Sequence, residues 1–246
     1  MLFSIITITR NNLEGLKTTQ ESLHWQVCRD FEWIVIDGGS KDGTKQYLEE
    51  HAAHWISEKD DGIYDAMNKG IAHASGNYML FLNAGDTLAA PDTLERIKAA
   101  MTTAPDFIYG DSIEAENHKP ARHHSGILNG MFTHHQSMFY NRHLLGHLRY
   151  DTSYKIAADY KFTLAFLKKA AVILYCPFPV CIFEQGGVSQ TNVRHGRIEQ
   201  FRARRELEAC HPIRNFIIYG LQSVIMALRR VSPSLYWFLR NSRLNQ

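Results

Sequence analysis

The chain reads as an α/β protein, a mostly parallel central sheet with helices on both faces, followed by a helical tail. Three observations predict this. Over the first 110 residues, short β-branched or aromatic apolar runs alternate with segments of helical spacing. Polar or glycine-rich loops follow those runs. Finally, 246 residues with 45% hydrophobic and 21% charged side chains suffice for a folded body with a sizeable core, which excludes wholesale disorder and low complexity.

The elements follow in order. FSIITIT, residues 3–9, is a strand that Arg10-Asn11-Asn12 interrupts, and residues 13–25 have helical spacing. FEWIVI, residues 31–36, repeats the strand pattern, the turn Asp37-Gly38-Gly39-Ser40 ends it, and residues 41–51 read as a helix. A short strand at 54–57, a helix at 63–74, a buried strand at 77–82 ending in Asn83-Ala84-Gly85-Asp86, a helix at 91–101 and a strand at 106–109 complete the regular half. Alternation of this kind gives parallel strands with helical crossovers. Beyond it, residues 112–133 are polar and histidine-rich, and residues 134–140 lead into a strand. Residues 154–169 are helical, and residues 171–183 read as two short strands interrupted by Pro177 and Pro179. Residues 194–205 contain five arginines, and residues 215–228 carry no charge.

In open parallel sheets ligands bind beyond the carboxyl ends of the strands. Three polar loops fall there: Thr9-Arg10-Asn11, Asp37 to Ser40, and Asn83 to Asp86. With 27 lysines and arginines against 25 acids, bulk charge does not hold this chain to nucleic acid. Cys28, Cys176, Cys181 and Cys210 form no CxxC pair, and Met1-Leu2-Phe3-Ser4 lacks a cationic leader, which points to reduced thiols and a cytosolic body. The charge-free stretch of 14 residues is short of the roughly 20 that span a bilayer. An interfacial helix and a helix packed on the body fit it equally well.

Each polar loop supports a chemical and a plain reading. Asp37 at a strand end can accept a base N–H, and Gly39 lets the backbone approach a nucleotide; the turn also reads as a helix start capped by Ser40 or Asp42. Asp60 or Asp61 can cap the next helix, on which Tyr64, Asn68 and Lys69 share a side, whereas Ile63, Met67 and Ile71 form a core stripe. Asp86 is a carboxylate suited to a hard cation beside a diphosphate, or a turn residue; Asp111 is open to the same two readings. Asp159, early in an apolar helix, suits a general base as well as a cap. His134 and His135 point to opposite sides if the segment is extended, so they do not share a zinc ion.

Taken as an ordered set, SIITITRNN, WIVIDGGSKDGT, DGIYDAMNKGI, FLNAGD, HHQSMF and AADYKF resemble the family 2 glycosyltransferases of GT-A fold, nearest their bacterial exopolysaccharide branch with the colanic acid enzymes, over residues 3–190. The resemblance implies an inverting transfer from a UDP- or GDP-linked sugar to a lipid-linked saccharide in surface polysaccharide synthesis, on the cytoplasmic face of the inner membrane. Asp159 would be the catalytic base. Thr9, Asp37, Gly39, Asp60, Asn68 and Asn83 would bind the donor, His135 and Gln136 would position the acceptor, and Asp86 would hold a divalent manganese or magnesium ion. The chain departs from that pattern at Gly38, Asn83 and Gly85, where the family often carries acids. On this reading residues 1–111 form the donor half, residues 112–211 the acceptor half of the same domain, and residues 212–246 a membrane-associating or packing tail, in a chain compatible with self-association. Two rival readings are a sugar nucleotidyltransferase, whose glycine-rich basic loop Thr9 to Asn12 lacks, and a non-catalytic nucleotide-sugar or glycan binder.

Overall fold

A computed structural model of the chain describes residues 1–184 and 192–231. Among them one mixed sheet contains β1 (Phe3–Thr9), β2 (Phe31–Asp37), β3 (His54–Ser57), β4 (Tyr78–Phe81), β5 (Thr87–Leu88), β6 (Phe107–Glu114), β7 (Asn117–Lys119), β8 (Met138–Asn141) and β9 (Ile173–Phe183). The strand order is β3-β2-β1-β4-β8-β6-β9-β5, with β7 paired to the free part of β6. The first four are mutually parallel, as the alternation requires. The second half breaks the pattern: β8 runs antiparallel between β4 and β6, and β9 is parallel to β6. The boundary expected after residue 111 therefore falls inside β6.

Alternate residues of the central strands feed two cores, as the period of two demands. Ile6 and Ile8 of β1, Phe81 of β4, Phe107 and Tyr109 of β6 and Tyr140 of β8 enter one core. There they meet Met67 and Ile71 of α3 (Ile63–His73) and Phe162 and Phe166 of α6 (Ala158–Leu167). Phe3, Ile5, Leu80, Ile108 and Phe139 enter the other, against Leu23 of α1 (Leu13–His24) and Leu94 and Ile97 of α4 (Thr93–Ala100). The remaining helices are α2 (Thr44–His51), α5 (Arg142–Leu145), α7 (Val193–Glu206) and α8 (Pro212–Val231).

Two expectations change, and a third, a loop or a sheet edge after residue 112, takes definite form. Residues 171–183 form one strand, not two: the pairing with β6 skips from Cys176 to Pro179, so Pro177 sits in a bulge, where a residue without an N–H is tolerated. The polar stretch after residue 112 contains the short hairpin of β6 and β7. The helix expected from residue 154 starts at Ala158, because the N–H groups of Lys155, Ile156 and Ala157 all donate to Glu199 of α7. The part of the tail beyond residue 231 lies outside the described residues, as do residues 185–191.

Candidate active site

Four strands and their returning loops bring the polar motifs to one sheet edge. Thr9 closes β1 opposite Asp37 at the end of β2, and Asp37 pairs with Ser57 at the end of β3. After β4 the chain crosses back over β1, where the Ala84 N–H donates to the Ile8 carbonyl at 3.1 Å. Asn12 holds this loop from the other side, donating to the Ala84 carbonyl at 3.1 Å.

Asp37 is fully buried, and its carboxylate accepts from the Ser40 N–H at 3.1 and 3.2 Å, from the Ser57 hydroxyl at 2.6 Å and from the Ser40 hydroxyl. It therefore shapes the loop from behind, and the base contact expected of it is not open. The carboxylate that faces this loop is Asp60: a Cβ on residue 38 would overlap its Oδ2. Its other oxygen accepts from the Gly62 N–H at 3.0 Å. Gly39 has φ +75°, the left-handed region that glycine adopts freely. The Thr9 hydroxyl is buried at the same edge with no hydrogen-bond partner among the described residues.

The expected helical row beside the donor is tied to protein instead. Asn68, expected at the donor, is held by the backbone of Tyr150: its amide donates to the Tyr150 carbonyl at 2.9 Å and accepts from the Tyr150 N–H at 2.8 Å. Tyr64 donates to the Ile156 carbonyl at 2.7 Å, and Lys69 pairs with Glu58 at 2.7 Å. The spacing is right for one side of a helix, but Tyr64 and Asn68 clamp the segment leading into α6 and Lys69 the loop after β3.

The second cluster lies across the same edge. Asp159 is the second residue of α6, with Ala157 as the N-cap, so the carboxylate is not a cap. It lies in the first turn, where the helix dipole favours negative charge. One oxygen accepts from the Tyr160 N–H at 2.7 Å, and the other lies 3.6 Å from His135 Nδ1. On the far side of that ring, Nε2 is 3.4 Å from the Asn83 amide nitrogen. Asn83, His135 and Asp159 thus form one line, with both side chains of the His135–Asp159 pair about one fifth exposed. Behind it, Gln136 donates to Asp86 at 2.7 Å. The unpartnered, buried oxygens of Asn83 and Gln136 leave the cluster short of donors.

Asp86 is buried, and its two oxygens accept from Gln136 and from the Glu184 N–H at 2.9 Å. Burial pushes its pKa above the ordinary aspartate range against the pull of those two donors. Glu184 is a residue the sequence motifs did not single out. Its carboxylate lies over Gly85, where an added Cβ would overlap it. Glu199 is another: a buried carboxylate that holds the three N–H groups ahead of α6 at 2.7 to 2.9 Å. Neither has a local signature, since their partners lie 98 and 42 to 44 residues away. Asp111 is spent on Tyr175, His118 and the Ala121 N–H and belongs to the β6–β7 hairpin rather than to the site.

No three His, Cys, Asp or Glu side chains converge among the described residues. Among the described residues this edge offers two carboxylates, Asp86 and Glu184, with the unpartnered amide oxygen of Gln136 beside Asp86. An all-oxygen set of this size fits a hard divalent ion whose other ligands are phosphate and water.

With this geometry in hand, comparison with known proteins is informative. A family model described as glycosyl transferase family 2 matches residues 4–173. A PGL/p-HBAD biosynthesis glycosyltransferase of Mycobacterium bovis is 34% identical over 207 residues, covering 78% of this chain and 80% of the relative. Among solved structures, residues 1–349 of Staphylococcus aureus TarS in complex with UDP-GlcNAc superpose with a TM-score of 0.71 at 17% identity, over 89% of this chain and 70% of that one. A mannosyltransferase from Pyrobaculum calidifontis, in complex with GDP-Man and Mn2+, gives 0.62 at 16% identity, over 98% and 79%. The two structural likenesses speak for the fold.

Proposed function

The chain belongs to glycosyl transferase family 2 and is a glycosyltransferase of GT-A fold, and from that premise we infer that it transfers one sugar with inversion from a nucleotide diphosphate donor, using Asp159 as the base. The line Asn83, His135, Asp159 at the rim carries this reading. Asp159 takes the proton of an acceptor hydroxyl as its oxygen attacks the anomeric carbon from behind; the bond to the diphosphate oxygen breaks and the nucleoside diphosphate leaves with the electron pair. His135 stands between Asp159 and the Asn83 loop and orients the acceptor. Thr9, Gly39 and Asp60 form the wall for the nucleotide, with Asp60 rather than Asp37 facing the base. Asp86, Glu184 and Gln136 would hold a divalent manganese or magnesium ion, which when bound neutralises the charge on the departing diphosphate.

Two of the structural neighbours are complexes with UDP-GlcNAc and GDP-Man, and the donor here is of that class, UDP- or GDP-linked. The acceptor is a lipid-linked saccharide of a bacterial surface polysaccharide, met at the cytoplasmic face of the inner membrane. Asp159→Asn tests the reading. Sugar transfer is expected to fall about a hundredfold to ten-thousandfold, the span of a lost general base, with donor affinity by calorimetry within about twofold of the parent. Turnover equal to the parent removes Asp159 from the chemistry.

A further inference from the structure

The helix α8 is inside out for a protein surrounded by water. Ile213, Phe216, Ile217, Leu221, Val224 and Ile225 lie along its outer side and are 46 to 65% exposed, at the spacing of one helical stripe. Its inner side sets the Phe216 and Tyr219 rings against Phe201 of α7, at 5.0 and 5.5 Å, and adds a row of polar bonds. Asn215 accepts from the buried Arg204 at 2.6 Å and donates to the Phe201 carbonyl at 3.0 Å. Gln222 donates to the Asn129 carbonyl at 3.2 Å, and Ser223 accepts from Arg197 at 3.2 Å. Ile218 is the one large aliphatic side chain buried there among the described residues. Polar bonds therefore fix the orientation of α8 on α7, so the apolar stripe faces away from the body.

A continuous apolar stripe of this size calls for an apolar neighbour, and charge selects which. Residues 193–246 contain ten arginines and three acids, a net +7; residues 1–192 contain seventeen cationic and twenty-two acidic side chains, a net −5. Arg194, Arg205 and Arg214 are exposed beside or on α8. A second copy laid symmetrically on the stripe would bring two such cationic segments together, whereas an anionic lipid surface is attracted by them. No described helix is long and apolar enough to cross a membrane, so α8 would lie along the surface.

We propose that the outer side of α8 is a docking surface for an anionic lipid bilayer, with its six apolar side chains at the acyl boundary and the surrounding arginines among the headgroups. The purpose of such docking rests on the membrane-borne acceptor of the preceding section, but its test does not. Because α7 carries both the support of α8 and Glu199, the carboxylate behind the Asp159 loop, docking also ties the site to the membrane surface through one rigid helix.

The experiment is co-sedimentation of the full chain with vesicles of phosphatidylcholine containing about one third phosphatidylglycerol. Expected is clear pelleting, weakened at least about tenfold with pure phosphatidylcholine vesicles or at high salt. The double variant Leu221→Glu/Val224→Glu is expected to lose at least about tenfold in vesicle affinity with an unchanged melting temperature, since these positions are 58 and 65% exposed. A parent chain that stays in the supernatant overturns the proposal, as does a variant that pellets equally. A parent that sediments as a dimer in the ultracentrifuge, becomes monomeric in the variant and ignores vesicles also overturns it, in favour of a second copy. Vesicle binding without any sugar transfer would leave this surface standing and remove the catalytic reading instead.

Discussion

His134, next to the residue that lines up with Asp159, shows how one half-buried ring links the site to acid sensitivity. Burial, with help from the charge of Lys119 and against that of Glu114, drops its pKa to about 4. Its ring stacks on Phe183 at 4.3 Å, and it is the desolvation of the charged ring that favours the neutral form. Between pH 6.5 and 4 the unfolded histidine binds a proton and the folded one does not, so stability rises with pH across that window and is lost as pH falls through it. His134→Asn is expected to flatten the fall in melting temperature between pH 6.5 and 4; a parallel fall in both proteins would contradict the assignment. At this scale the sequence discloses residue types better than their neighbours. Asp159 and His135 are legible because their motifs are local. Asn68 is not, since the spacing that aligns it with Tyr64 fits a clamp on Tyr150 as well as a ligand wall. Glu184 escapes because what it reaches, Gly85 and Asp86, is distant along the chain.

Among the elements, α6 is the one whose start is set by another helix. Ala157 offers no side-chain cap, and Glu199 of α7 takes over that duty for the three preceding N–H groups. Burial raises the Glu199 pKa, but those N–H groups and His195 outweigh it and hold the group below the ordinary glutamate range. Glu199→Gln turns one acceptor into a donor facing N–H groups. It is expected to cost about 2 kcal/mol of stability and to lower kcat with donor KM nearly unchanged, because Asp159 loses its placement while the Thr9 and Asp60 wall does not. A drop in donor affinity with unchanged kcat would refute that positioning role. The parallel strands of the first half were legible from alternation alone, since each βα unit closes on itself, whereas the two residues of β5 are too few to show a period. Those of the second half were not: β7 is three exposed residues, and the single β9 is hidden by Pro177 and Pro179, whose effect depends on a bulge that only pairing with β6 reveals.

For the whole molecule, the sheet order matters most. Between β4 of the donor half and β6 lies β8, drawn from beyond residue 111, and the core around Ile6 and Phe81 is closed by Tyr140, Phe162 and Phe166. The fragment 1–111 is therefore expected to lack cooperative unfolding by calorimetry when expressed alone, despite containing the whole regular βα series; a sharp transition for that fragment would show the halves to be independent. Across this scale the fold class follows from composition and alternation, whereas the joining of the halves follows from antiparallel pairings that no local period encodes. The Asp86 carboxylate is completed by the Glu184 N–H, so the pocket has its final shape only when the ribosome has released nearly two hundred residues. A nascent or prematurely terminated chain that stops short of Glu184 thus has a recognisable beginning and an unfinished rim around Asp86.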